Sequence, residues 1–103
     1  MSQKATLIVF TRPVEGREDE YNDWYDNTHL SEFLALPGVV SAKRLKGSPN
    51  GPKAKEPYIA IYELSDEPAN VVKAMNAAIE DGSMHMSDAV DLASVSMSGW
   101  DPI

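Results

Sequence analysis

The sequence predicts an α+β domain with four strands and two helices in the order βαββαβ, and three observations carry that prediction. Two segments have apolar residues at helical spacing, Tyr21 to Leu34 and Val71 to Ile79. Each is flanked by short runs rich in branched and aromatic residues, the pattern of strands. Between the two middle strands lies Gly47 to Pro57, an eleven-residue stretch with two glycines, three prolines and two lysines, which suits a surface loop joining antiparallel strands.

Taken in order, Ala5 to Arg12 reads as the first strand, closed by Pro13 and Gly16. Arg17 to Glu20 opens the first helix with acids near its positive N-terminal end, and Tyr21, Trp24, Tyr25 and Thr28 follow at i, i+3, i+4 and i+7. Leu30, Phe33 and Leu34 keep helical spacing but point roughly 150° away from that stripe at about 100° per residue. A bend or restart near Thr28 to Leu30 reconciles the two. It leaves His29 at a helix joint, where backbone groups lack partners and a side chain can be aimed into a cavity.

Leu36-Pro37-Gly38 stops this segment, and Val39 to Lys46 reads as the second strand with Arg44 and Lys46 on one side. Tyr58 to Leu64 is the third. Ser65 or Asp66 is expected to cap the second helix, Pro68 to sit in its first turn, and Val71, Val72, Met75, Ala78 and Ile79 to form its stripe up to Gly82. A polar, methionine-bearing segment, Ser83 to Asp91, leads to a fourth strand from Leu92 to Trp100. Ala93, Val95 and Met97 fall on one of its faces, and Ser94, Ser96 and Ser98 on the other.

Short connections and the right-handed crossover rule fold this order into a ferredoxin-like α+β domain, a four-stranded antiparallel sheet with both helices on one face. Parity places Leu92, Trp100, Tyr58 and Tyr62 on the serine side, away from the helices. That uncovered face needs water or a second copy, so a face-to-face homodimer is expected. No repeat or second domain is visible, and residues 1–103 read as one domain.

Charge and composition remove several classes of function. Nine basic and sixteen acidic residues give a net charge of −7, the opposite of a phosphate-binding surface, so neither nucleic acid nor an anionic membrane is an expected partner. With no cysteine there is no disulfide, thiolate zinc site or cysteine nucleophile. The apolar run Ala5 to Phe10 is too short for a signal peptide or a membrane span, and a soluble cytoplasmic protein is expected. No Gly-rich phosphate loop, Ser-His-Asp order or paired-carboxylate motif is present.

With the elements placed, the chain resembles the EthD-like proteins of the dimeric α+β barrel superfamily. The resemblance runs from Val9-Phe10-Thr11 through Glu18-Asp19-Glu20-Tyr21-Asn22-Asp23-Trp24-Tyr25 and Thr28-His29-Leu30 to Leu36-Pro37-Gly38-Val39. Where many similar sequences carry proline after the His-Leu pair, this chain has Ser31. The superfamily includes cofactor-free monooxygenases, muconolactone-type isomerases, polyketide cyclases and haem enzymes, so the resemblance implies the fold more strongly than a reaction. It also implies that His29 faces a cleft between helix and sheet.

His29 is one of two histidines, and a neutral imidazole suits proton transfer near pH 7. It is the catalytic candidate, against the alternative of a histidine that shapes the helix joint. Tyr21, Trp24 and Tyr25 are candidates for the wall of a pocket holding a flat ring, against the plainer reading of core packing. Arg44, with Arg12, is a candidate for neutralising an acid or enolate oxygen at a cavity mouth, or decorates a strand end. Asp23, Asp26 and His29 recur every three residues but splay around a helix, so no metal site is expected. No cofactor is expected either, and the chain is short for enclosing a porphyrin. His85 reads as an exposed loop histidine, in a segment positioned to close over a cavity. The expected ligand is a small aromatic, enolic or polyketide-like molecule. Monooxygenation, isomerisation and cyclisation stand as its reactions, beside a non-catalytic binding or accessory role.

Overall fold

Alternation decides which side of the sheet is covered. In the computed structural model, which describes residues 4–103, β1 (Ala5–Thr11) buries Ala5, Leu7, Val9 and Thr11 and leaves the residues between them half-buried. It pairs antiparallel with β3 (Tyr58–Leu64) on one side and β4 (Ser96–Trp100) on the other, and β2 (Val39–Lys46) completes the order β2-β3-β1-β4. The helical segments all lie over the buried face. Tyr21 of α1 (Glu18–Trp24) bonds Thr11, Phe33 of α2 (Leu30–Leu34) stacks on Tyr62, and α3 (Pro68–Asp81) buries Val71 and Met75. The ferredoxin-like α+β fold is therefore as expected.

Between α1 and α2 the chain does not break. Tyr25–His29 is a π-helical turn, with the Leu30 amide donating to the Tyr25 carbonyl. An α-helix over-rotates by roughly 40° for every four residues, so a stripe with four-residue spacing drifts off its face. One turn of i→i+5 bonding takes up extra residues and removes that drift. The buried series is thus Tyr21, Tyr25, His29, Phe33, four residues apart, in place of the two diverging stripes. Ser31, the departure from proline, keeps its place in the helix and donates its hydroxyl to the Thr28 carbonyl at 2.9 Å.

Three further expectations are corrected. Tyr58 and Tyr62 lie on the helix side: the register sets Leu7 opposite both Tyr62 and Gly99, whereas Trp100 pairs with Thr6 on the outer face. Parity within a strand is written in the sequence, but parity between strands depends on register. The fourth strand starts at Ser96, because Leu92–Ser94 forms a 3₁₀ turn whose Ala93 amide is accepted by the Asp91 carboxylate. Ser94 is buried by its own bonds, accepting from the Arg12 amide and donating to the Asp91 carbonyl, so local side-chain bonds override the alternation. At the second helix the N-cap is Glu67 and makes no side-chain cap; Asp66 instead accepts from the Glu67 amide.

Two glycines stand where the backbone needs them. Gly82 ends α3 in the left-handed region at φ 85°. Gly38 has φ 90°, and a Cβ there would come within 2.9 Å of the Asp66 Cβ. The outer sheet face carries half-buried Ile8, Phe10, Ile59 and Ile61 beside exposed Leu45 and Trp100. Among the described residues, no helix is long and apolar enough to cross a membrane.

Candidate functional site

A cavity of about 200 Å³ lies between the first helical segment, the sheet and α3. Trp24, Tyr25, His29 and Phe33 form one wall, Val9 and Thr11 the floor, and Met75 and Ile79 the far side, while Met86, Val90, Leu92, Val95 and Met97 close it from the C-terminal third. The floor is buried, and exposure rises to 73% at Leu92, which marks the mouth. An apolar cavity of roughly 150 Å³ already holds benzene, so the space suits one ring at a time.

His29 is 6% exposed, buried by the π turn that aims it inward. Its ring stacks on Trp24 at 4.4 Å and meets the edges of Tyr25 at 5.0 Å and Phe33 at 5.8 Å. Burial lowers its pKa to about 4, with Glu32 opposing and Arg44 adding to the shift, so the ring is neutral at pH 7. Its Nδ1 is sealed in without a hydrogen-bond partner, leaving Nε2 as the nitrogen open to a ligand.

Of the six candidates read from the sequence, the structure brings His29, Trp24 and Tyr25 into the cavity, whereas Arg12 pairs with Glu56 and Asp91 away from it. Tyr25 is buried and its phenol is pushed up to about 12, mainly by burial. Tyr21 lies behind the wall, fully buried, with its hydroxyl paired to that of Thr11. Arg44 is on the other side of Tyr25, its guanidinium 4.3 Å from that ring's centroid and bonded to Asp26 and Asn22 at 2.8 Å each. Tyr58 and Tyr21 complete the aromatic surround. Arg44 holds the helix to β2 and does not line the cavity. No cluster of three or more metal-ligating side chains occurs among the described residues.

The far wall was read only in part from the sequence. Met75 and Ile79 are visible there as a core stripe, and Ser83 to Asp91 as a polar loop positioned to close over a cavity. In the structure that loop is pinned across the cavity: the Trp24 indole donates to the His85 carbonyl at 2.9 Å, and the His85 amide donates to Glu32 at 2.9 Å. The His85 ring adds a 2.6 Å contact from Nδ1 to Glu32. The clustering of methionines in this stretch was the available signal, since flexible thioethers line adaptable apolar surfaces.

This geometry and fold define a ferredoxin-like α+β protein with an apolar cavity beside a neutral histidine, and known structures share the fold. A candidate monooxygenase from Shewanella loihica PV-4 matches with a TM-score of 0.69 at 14% identity, over 100% of this chain and 97% of that one. An EthD family protein from Bacillus halodurans C-125 matches at 0.66 and 19% identity, over 97% and 99%. The haem degrader MhuD from Mycobacterium tuberculosis, with two haems in its active site, matches at 0.62 and 17% identity, over 96% and 95%. At these identities the likeness is one of fold, a four-stranded antiparallel sheet with helices over one face. In sequence, the chain is 34% identical over 62 residues to core atranone cluster protein 1 from Stachybotrys chlorohalonatus, a match to 58% of this chain. The chain spans 26% of that relative's length. No family profile matches.

Haem does not fit this site. The cavity of about 200 Å³ takes one ring, well short of what a porphyrin macrocycle needs.

Proposed function

We propose that the protein is a homodimeric small-molecule enzyme without a resident cofactor, acting on one ring of an aromatic, enolic or polyketide-like metabolite held against His29. The observation that carries this reading is a buried, uncharged imidazole with a reachable nitrogen in an apolar cavity of single-ring size. His29 works on the ligand's oxygen, by hydrogen bond or proton transfer. Negative charge that develops on that oxygen is stabilised by an imidazole N–H aimed at it in a site from which water is excluded. Trp24 and Tyr25 hold the ring plane, and water is kept out by the segment pinned across the cavity. Monooxygenation, isomerisation and cyclisation are the candidate reactions for this arrangement. The fold neighbours include a candidate monooxygenase and a haem degrader, and the sequence relative is named for a metabolite cluster.

The apolar outer sheet face supports the homodimer, since Ile8, Phe10, Ile59, Ile61 and Trp100 have no covering element among the described residues. A second reading is a non-catalytic dimeric binding or accessory protein. The depressed pKa of His29 favours it, because a base that protonates only near pH 4 is weak at neutrality. Turnover of phenols, quinols and enolic acids by the wild type and His29→Gln separates the two. An enzyme loses turnover by about 10²-fold or more while keeping ligand affinity. If no compound that binds is converted by the wild type, the accessory reading holds.

A further inference from the structure

The cavity has a charge preference and a hydrogen-bonding polarity, and both can be read from what surrounds His29. Among the described residues that line it, none carries a formal charge at neutral pH, and the hydrogen-bonding side chains are confined to Thr11, Trp24, Tyr25 and His29. The Thr11 hydroxyl is engaged by Tyr21 and the Trp24 indole by the His85 carbonyl, so neither is the main anchor for a ligand. The guanidinium that would receive an anion, Arg44, is screened by the Tyr25 ring and already bonded to Asp26 and Asn22. The chain as a whole carries −7, which adds long-range repulsion of anions. A carboxylate placed in this cavity would be a buried, unpaired charge.

The polarity follows from the orphaned nitrogen. A neutral imidazole bears its proton on one nitrogen, and the partner of the other nitrogen usually decides which. Here Nδ1 is sealed in with no acceptor facing it. A buried N–H without a partner is rarer and costlier than a buried lone pair without one. The proton therefore belongs on Nε2, and the open nitrogen is a donor. We infer that the cavity binds an uncharged ring ketone, enone or quinone, whose carbonyl oxygen accepts from His29 Nε2–H and whose remaining apolar part leaves past Met86, Leu92 and Met97. The inference rests on the reading of the cavity as a ligand site and narrows it to an acceptor class. A neutral imidazole donating to a carbonyl polarises it and stabilises an enolate forming there.

The test uses the wild-type protein and two probes of nearly equal shape, acetophenone and benzoate, followed by ¹⁵N–¹H correlation of the imidazole nitrogens at pH 7. The spectrum of the free protein is expected to show His29 protonated at Nε2. Acetophenone should shift those signals saturably, and benzoate should bind roughly tenfold more weakly or worse. A proton found on Nδ1, or benzoate binding as well as acetophenone, overturns the inference and leaves the ligand cavity standing. If neither probe moves the His29 signals, the cavity is not a ligand site, and the inference falls together with the function it rests on.

Discussion

The two histidines of this protein flank one carboxylate and live opposite lives. His29 is walled in by aromatic rings, with no partner for Nδ1 and a pKa lowered to about 4. His85 stands in an exposed loop, with both its amide and its ring bonded to Glu32. Glu32 acts on both, favouring the charged form of His29 through space while its own pKa is brought down by the hydrogen bonds from His85, against the upward push of burial. At His29, desolvation outweighs the neighbouring carboxylate. The difference teaches that a neighbouring carboxylate does not make a histidine cationic once the ring is out of water, which is how one helix serves an apolar cavity and a polar latch together.

The comparison breaks most visibly with acid. Because the folded pKa of His29 is lowered to about 4 from 6.5, the unfolded chain takes up a proton in this window that the native state refuses. Stability is therefore complete above pH 6.5, falls as pH drops towards 4 and levels off below, by up to roughly 3 kcal/mol at 1.36 kcal/mol per unit. Urea unfolding across this range measures it, and His29→Gln should remove the slope. Glu32 acts in a lower window: its lowered pKa gives stability above 4.5 that is lost as pH falls through its folded value.

Next in size is Arg44→Met. It removes the guanidinium stacked on Tyr25 and leaves Asn22 and Asp26 without their donor, a loss of about 2 kcal/mol in the same unfolding assay. Since Arg44 also depresses His29, an NMR titration of the variant should find the His29 pKa higher than in the wild type. Glu32→Gln is the mirror experiment, and should move that pKa lower still. Its stability cost is small, ~1 kcal/mol or less, as for exposed ion pairs, but the His85 amide should exchange with solvent markedly faster. The smallest effect belongs to Leu92→Ser at the mouth. Stability should change by no more than about 0.5 kcal/mol, while affinity for any ring compound that enters falls by a few-fold.

Much of this molecule was legible from its residues. The helix stripe Val71 to Ile79, the stop at Gly82 and the break at Leu36-Pro37-Gly38 are short-range signals, and they place the elements correctly. The inward aim of His29, Trp24 and Tyr25 was likewise implied by their clustering on one segment. What stayed hidden depends on contacts across long separations. The conflict between the Tyr21 and Leu30 stripes pointed to an irregularity, but nothing local says that it is a π turn and not a break. The face on which Tyr62 lies follows from register against β1, and the withdrawal of Arg44 behind Tyr25 follows from its bonds to Asn22 and Asp26 across the helix–sheet interface. The far wall comes from residues some fifty positions beyond His29, whose placement no motif announces.

Trp24 touches both histidines' territories, its ring stacked on His29 and its indole nitrogen bonded to the His85 carbonyl, whereas the second tryptophan, Trp100, is 57% exposed on the outer sheet face. The protein thus carries two tryptophan fluorophores, one at the cavity and one on the outer face that the proposed second copy would cover. Excited where tyrosine does not absorb, a Trp100→Phe protein would emit only from the cavity, and a Trp24→Phe protein only from the outer face. Filling of the cavity and self-association could then be watched separately, without any attached dye.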